Sequence, residues 1–376
     1  MIRIIIGGDI CPAGAIEEAF KQGASELIFN DLLPLLKSAD FSLINLECPL
    51  IREPSPIDKD GVVLSASDKC VNGFRNSNVQ AVNLANNHIL DHGEQGLSVT
   101  LEALNKSEIY WFGAGKNLRE ASKPLIKTIK ESSFGFFGMA DYEFSIAGKN
   151  SWGANSLDII NIIQTIREYR KKVDHLVLLL HGGKEYYPYP SPKLQKICRF
   201  LIEEGVDAII CQHSHCAGSY EIFDGKPIIY GQGNLIFERI RRNNESQFIG
   251  FLVKLEFQDN GLNVNFIPYR QSDGILGAKR LVKKEEEEFL LKLEARSRNV
   301  LSPEFIEESW INLCIKEKYL YASRLLGHNR LLRFINSKIH FTDWAYSKKS
   351  KMISRNVVEC EIHREGLETL WRNNLY

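Results

Sequence analysis

Short apolar runs and helix-length amphipathic stretches alternate along the first two-thirds of the chain. The runs are Arg3–Ile6, Phe41–Leu46, Gln80–Leu84, Ile109–Phe112, Phe134–Met139, His175–Leu180, Ala208–Cys211 and Pro227–Tyr230. Each is the length of a strand buried on both faces. Between them, Leu27–Leu36, Gly96–Leu104, Asn155–Lys172 and Leu194–Glu203 carry apolar residues near helical spacing; in the third these are Leu157, Ile160, Ile163, Ile166 and Tyr169. Strands alternating with helices predict an α/β protein with a largely parallel sheet. After Tyr220 the pattern changes. A turn at Asp224–Gly225 predicts one hairpin, and Asp259–Asn260–Gly261 between Phe248–Phe257 and Leu262–Pro268 predicts another.

A boundary falls near 275. Beyond it the sequence is charged and helical, and Ser302–Pro303 marks a helix start that should run to Leu326, with Gly327 as its stop. Trp310, Trp344 and Trp371 are the aromatics this part has to bury. The expected organisation is residues 1–275 as one domain and 276–376 as a helical extension.

Composition narrows the function classes. Apolar residues make up 44% and charged residues 25% of the 376, as in an ordinary globular protein. Lys plus Arg equals Asp plus Glu, at 47 each. That balance argues against a dedicated nucleic-acid binder. The opening run MIRIII is too short for a signal segment, and no stretch approaches a membrane span. The eight cysteines form no CxxC pair, so reduced thiols and a cytoplasmic location are expected.

The candidate chemistry lies where the strands end. One strand ends in Asp9, the next in Asn45 and Glu47, then come Asn87 and His88, then His181, then His213 and His215. In open α/β sheets ligands bind outside the carboxyl ends of the strands, so these residues should gather on one rim. Imidazole, carboxylate and amide oxygen suit Zn, Mn or Fe. Asn and Gly are also ordinary turn residues, and Asp9 alone reads as a turn or cap. Glu47 is harder to dismiss, because a carboxylate ending an apolar strand is costly to bury unpaired. Asn86 reads as a turn residue and His92 as a surface or supporting residue. His175, His328, His340 and His363 read as ordinary, and Cys211 and Cys216 as packed thiols. Gly113–Asn117 lacks the phosphate-loop pattern and reads as a turn before a helix. Gly231–Asn234 follows a strand and borders the same rim.

The ordered set GD, NLECP, ANNHILDHG, HGG, HSH and GQGNLIF resembles the capsule-synthesis/poly-γ-glutamate CapA family of the calcineurin-like metallophosphoesterase superfamily. The resemblance covers Ile2 to Pro268. It implies a four-layer α/β/β/α sandwich holding two divalent transition-metal ions at the strand ends. It further implies Asp9 on one ion, Glu47 as the bridging carboxylate, and Asn87 as a ligand. His181 and His213 would bind the second ion and His215 the first. His88 would be the catalytic residue, steadied by Asp91. The superfamily often begins Asp-x-His, whereas Cys11 stands here at the His position. The expected activity is a metal-dependent hydrolase acting on a small-molecule or polymer substrate with phosphate or γ-glutamyl groups. The alternative is a non-catalytic assembly factor for capsule or polymer synthesis that retains a partial metal site.

Overall fold

The computed structural model describes residues 1–238, 247–259, 261–360 and 363–367. Asn260 of the second expected turn and Trp371 lie outside the described residues. Two compact units emerge, Met1–Ile306 and Glu307–Tyr376.

The first unit holds two large sheets. The eight-stranded sheet runs, edge to edge, Ala278–Arg280, Gly261–Gln271, Ile249–Gln258, Ile2–Cys11, Phe41–Leu46, Ala81–Asn83 and Tyr110–Phe112, with Asn234–Phe237 pairing alongside Ile2–Cys11. Its strands from Ile2–Cys11 to Tyr110–Phe112 are parallel, and the late strands add antiparallel pairs. The six-stranded sheet runs Tyr220–Phe223, Lys226–Ile229, Ala208–Gln212, His175–His181, Ser132–Ala140 and Leu125–Ile129, with a parallel centre.

Strand alternation explains the layering. Ile4 and Ile6 point into a core shared with Phe134, Phe136, Val177, Leu179 and Ile210, which fills the space between the two sheets. Ile5 points the other way, into a core with Phe20, Phe29, Leu36, Phe74 and Leu104 from helices. Leu176, Leu178 and Leu180 likewise face Ile162, Ile166, Leu194 and Leu201 of helices outside the second sheet. The order is helices, sheet, sheet, helices. Every central strand is covered on both faces, which is why the runs read as apolar throughout.

Several helices differ from the sequence pattern. Leu27–Leu36 is not one helix but Ser25–Phe29, a 3₁₀ turn at Asn30–Leu32, and Leu33–Ser38. Asn30 sits at φ +43, which interrupts the first segment. The helix Ile159–Tyr169 starts from Asp158, whose carboxylate accepts from the N–H groups of Ile160 and Asn161. That start turns Ile162 inward and leaves Ile160 72% exposed, so Ile160 is not part of the apolar stripe. Asp224 and Gly225 both have positive φ, as a tight hairpin turn requires. The helix from Pro303 is capped by Ser302, which accepts from the N–H of Phe305, but it breaks at Glu317 into Pro303–Lys316 and Lys318–Leu325.

The charged helix Lys283–Val300 belongs to the first unit and is fastened to its second sheet and helices. Ser297 accepts from the backbone N–H of Tyr220, Arg296 donates to the carbonyl of Ala217, and Val300 accepts from Gln195. Within the second unit, Asn336 is fully buried and bonds to Ser323, Tyr319 and Thr342, while Trp344 is 74% exposed. The expectation that Trp344 needs burial therefore does not hold. Among the described residues no helix is long and apolar enough to cross a membrane.

Candidate metal centre

The topology brings the strand-end residues together. Asp9 and Asn45 lie side by side on neighbouring parallel strands, and the Asn45 amide donates to Asp9 at 2.8 Å. Glu47 is one step beyond that strand, its N–H donating to the carbonyl of Ile10. His181 ends the central strand of the other sheet, and His213 and His215 follow the strand beside it. Two donor groups result. Glu47, His181 and His213 form one; Asp9, Glu47 and His215 form the other; in each, the ligand atoms lie within 4.8 Å of one another. Glu47 belongs to both, and no thiolate belongs to either.

The distances show how tightly the donors converge. His181 Nε2 lies 3.4 Å and His215 Nε2 3.7 Å from Glu47 Oε1. Asn87 Oδ1 is 3.0 Å from His181 Nε2, and His213 Nδ1 is 3.1 Å from the same atom. His213 and His215 have φ of +86° and +52°. This left-handed backbone lets the HxH pair turn both rings toward one cluster, which an extended segment would not allow.

Glu47 is the most informative residue. It is fully buried, and neither carboxylate oxygen has a hydrogen-bond partner among the described residues. Burial, and next the charge of Asp9, raise its pKa well above the ordinary carboxylate value. A buried charged group without partners is strongly penalised unless a cation pairs with it. The two adjacent N/O donor sets that share the carboxylate are groups that could hold a metal ion. The imidazoles are prepared in different senses. Burial, followed by the neighbouring His181 and His215, takes His213 far below its ordinary value, and burial also lowers His181. At His215 burial also pulls down, but Glu47 and Asp9 outweigh it and the net shift is upward.

His88 and Asp91 sit beside this cluster. His88 Nδ1 lies 2.6 Å from Asp91 Oδ2, and Asp91 is fully buried. The other oxygen of Asp91 pairs with the buried ammonium of Lys59, and the N–H of Leu64 donates to Asp91 at 2.7 Å. Burial lowers the His88 pKa, with Asp91 opposing it. His92 is 4% exposed rather than on the surface: its Nδ1 accepts from the N–H of Ser55, and its carbonyl accepts from the Ser55 hydroxyl. These bonds tie the loop that carries Lys59 to the segment that carries Asp91. Asn86 is a bridging turn residue, donating to the carbonyl of Leu46 and accepting from the N–H of His88.

Cys11 is buried in the helix-side core that also holds Cys48 and Cys70, and it belongs to neither donor group. Cys211 is packed 3.9 Å from Cys198, and Cys216 is also buried. His175 packs on Phe134 and Phe257. The segment Gly113–Asn117 leads into the helix Leu118–Ala121, capped by the Asn117 side chain. Sequence reasoning missed Lys59, Asn234 and Glu143; the last accepts from Asn87 Nδ2 at 3.1 Å. Lys59 sits in a polar loop with nothing to set it apart, whereas Asn234 closes the visible Gly-Gln-Gly-Asn motif, which gave no sign of its contact with His215.

The pattern of a family described as "Bacterial capsule synthesis protein PGA_cap" matches residues 3–239. The chain is 26% identical over 279 residues to a capsule biosynthesis protein CapA of Bacillus anthracis, covering 71% of this chain and 67% of that one. It is 27% identical over 253 residues to a PGA biosynthesis protein CapA of Bacillus subtilis, covering 66% of each. The matches thus span about two-thirds of each relative. A hypothetical protein from Thermus thermophilus overlays on 70% of this chain and 99% of its own, at 11% identity and a TM-score of 0.44. With the family pattern covering more than half of its length, the chain belongs to the bacterial capsule synthesis family PGA_cap.

Proposed function

We propose that the protein is a metal-dependent hydrolase whose substrate carries a phosphoester or a γ-glutamyl-type amide, serving capsule or poly-γ-glutamate metabolism. The observation that carries this reading is Glu47, buried with neither oxygen hydrogen-bonded among the described residues and shared by two donor groups. Asp9, Glu47 and His215 would hold one ion, and Glu47, His181 and His213 the other, with Asn87 as an added oxygen donor. Two divalent ions there would supply Lewis-acid activation of a water and neutralise charge on the substrate's oxygens.

The chain's own residues handle the proton. Asp91 accepts from His88 Nδ1, and in the imidazolium form, which Asp91 stabilises, the Nε2–H would give its proton to a leaving group as general acid. Lys59 and the Leu64 N–H keep the Asp91 carboxylate in place. This supported pair favours catalysis over the assembly-factor reading, since holding ions alone does not call for an acid catalyst. The assembly-factor reading draws its support from Cys11, which replaces a ligand and lies among thiols. We also assign residues 1–275 as the catalytic domain and 276–376 as a mainly helical extension, whose strand Ala278–Arg280 and helix Lys283–Val300 belong to the first compact unit.

The deciding experiment is metal content per chain, in protein purified without chelator, beside the Glu47→Ala variant. About two transition-metal ions, falling sharply in the variant, support the shared site and justify assays on phosphoesters and γ-glutamyl amides. No bound ion in either protein after addition of Mn, Fe or Zn would move the assignment to the assembly factor.

A further inference from the structure

The Gly231–Asn234 motif has no task in that reading, yet its packing is specific. The strand Asn234–Phe237 lies outside the main path of its sheet and runs parallel to Ile2–Cys11, with Asn234 opposite Asp9. Gly233 has φ +76°, and a Cβ on Gly8 would stand 2.1 Å from the carbonyl oxygen of Gly233. Only a chain without side chains at these points lets the two backbones touch. Between the glycines, the Gln232 amide donates to the carbonyl of Ile6 at 2.9 Å and accepts from Gln212 at 3.2 Å. Gln212 also donates to the carbonyl of Gly7 at 3.1 Å. These buried amides fasten the motif to the strand of Asp9 and to the strand that leads into His213 and His215.

The product of this fastening is the place of Asn234. It is 2% exposed, and its Oδ1 lies 2.8 Å from Nδ1 of His215. Both ring nitrogens of His215 are near carboxylates: Nδ1 is 3.8 Å from Asp9 Oδ2, and Nε2 is 3.7 Å from Glu47 Oε1. Either could bind an ion if nothing chose between them. An amide oxygen accepts and cannot donate, so Nδ1 has to carry the hydrogen. The free lone pair is then on Nε2, on the side of Glu47. Histidine ligands are commonly oriented by such a bond to the other nitrogen.

We infer that Asn234 is a positioning residue that fixes the ring and tautomer of His215, making Nε2 its ligating atom. This inference rests on the dinuclear reading for its use, but the tautomer itself does not depend on an ion. The test therefore has two arms. In the first, metal-free protein labelled with ¹⁵N-histidine is examined by long-range ¹H–¹⁵N NMR at alkaline pH, with His215→Gln used to identify the signal among nine histidines. The expected result is the Nδ1–H form in the parent protein, replaced by a mixed or Nε2–H form in Asn234→Leu and Asn234→Ala. The Nε2–H form in the parent protein overturns the inference.

In the second arm, Mn²⁺ binding is measured by calorimetry. Asn234→Leu should weaken one of two ions by roughly 10–100-fold and leave the other unchanged, and Asn234→Asp, which keeps the acceptor, should restore it. Unchanged affinity in a variant with an unchanged urea midpoint overturns the inference, as does Asn234→Asp binding as weakly as Asn234→Leu. If Asn234→Leu does not fold, Asn234→Ala decides the same point. A parent protein that shows the Nδ1–H form but binds no ion removes the hydrolase reading and the ligating role of Nε2 while upholding the tautomer assignment.

Discussion

Glu47→Gln should make the metal-free protein more stable and the metal-loaded protein less stable. The carboxylate is fully buried, and neither oxygen has a hydrogen-bond partner among the described residues. Glutamine keeps the size and the polarity and removes only the charge. An unsatisfied buried polar group costs about 1–3 kcal/mol, and a charged one more, so loss of the charge should return about 2 kcal/mol. At roughly 1.5 °C per kcal/mol for a unit that spans Met1–Ile306, the metal-free variant should melt about 3 °C higher. The gain should depend on pH. The folded Glu47 pKa is raised, so the folded chain holds that proton more tightly than the unfolded chain does. Stability contributed by the protonated form is present at acid pH and is lost as pH climbs from the ordinary carboxylate range through the raised value. His215, whose own pKa is raised, compensates the charge only while protonated, so the advantage of the variant should grow toward pH 8. With Mn²⁺ present the order should invert, because each ion held at a thousand times its Kd adds about 4 kcal/mol to the parent protein. The assay is a thermal melt of both proteins, in chelator and in Mn²⁺, at pH 6 and pH 8. A metal-free variant that melts below its parent at pH 8 would show that the Glu47 carboxylate is structurally paired, and the argument for an ion-holding carboxylate would collapse.

His88→Ala should keep its full metal content, measured by elemental analysis, while turnover of a phosphodiester or γ-glutamyl anilide probe falls roughly 10²–10⁴-fold. Lys59→Met leaves the buried Asp91 carboxylate without its ammonium, and removing one partner of a buried pair should cost about 3–5 kcal/mol, read as a lower urea midpoint at constant m-value. Mn²⁺ affinity should rise from pH 6.5 to pH 8.5, because Glu47 and His215 both have raised pKa values and must release protons to bind. Calorimetry in two buffers of different ionisation enthalpy counts those protons, and an affinity that falls with pH would contradict the ligand assignment.

The layers of the fold were legible because a strand covered on both faces must be apolar throughout, and each such run became a strand of one of the two sheets. The gathering of Asp9, Glu47, His181, His213 and His215 was legible for a related reason: parallel strands end on the same side, so a polar residue after each run lands on a common rim. What stayed hidden depends on contacts that sequence spacing does not encode. Lys59 reaches Asp91 from a loop whose other residues are largely exposed, and only the fixed path from Ser55 to Leu64 brings it in. Ile160 and Ile162 both satisfy a loose helical pattern, and the choice between them was made by the Asp158 cap. Asn234 shows where the boundary runs. Its motif was visible, but its meaning required knowing that a strand leaves the sheet path to lie beside Asp9. Residues suited to hold an ion announce themselves by chemical type and by the strand end they occupy. Residues that orient those ligands need only be the right shape in the right place, so amides such as Asn45 and Asn234 do not show that role until the geometry pairs them with Asp9 and His215.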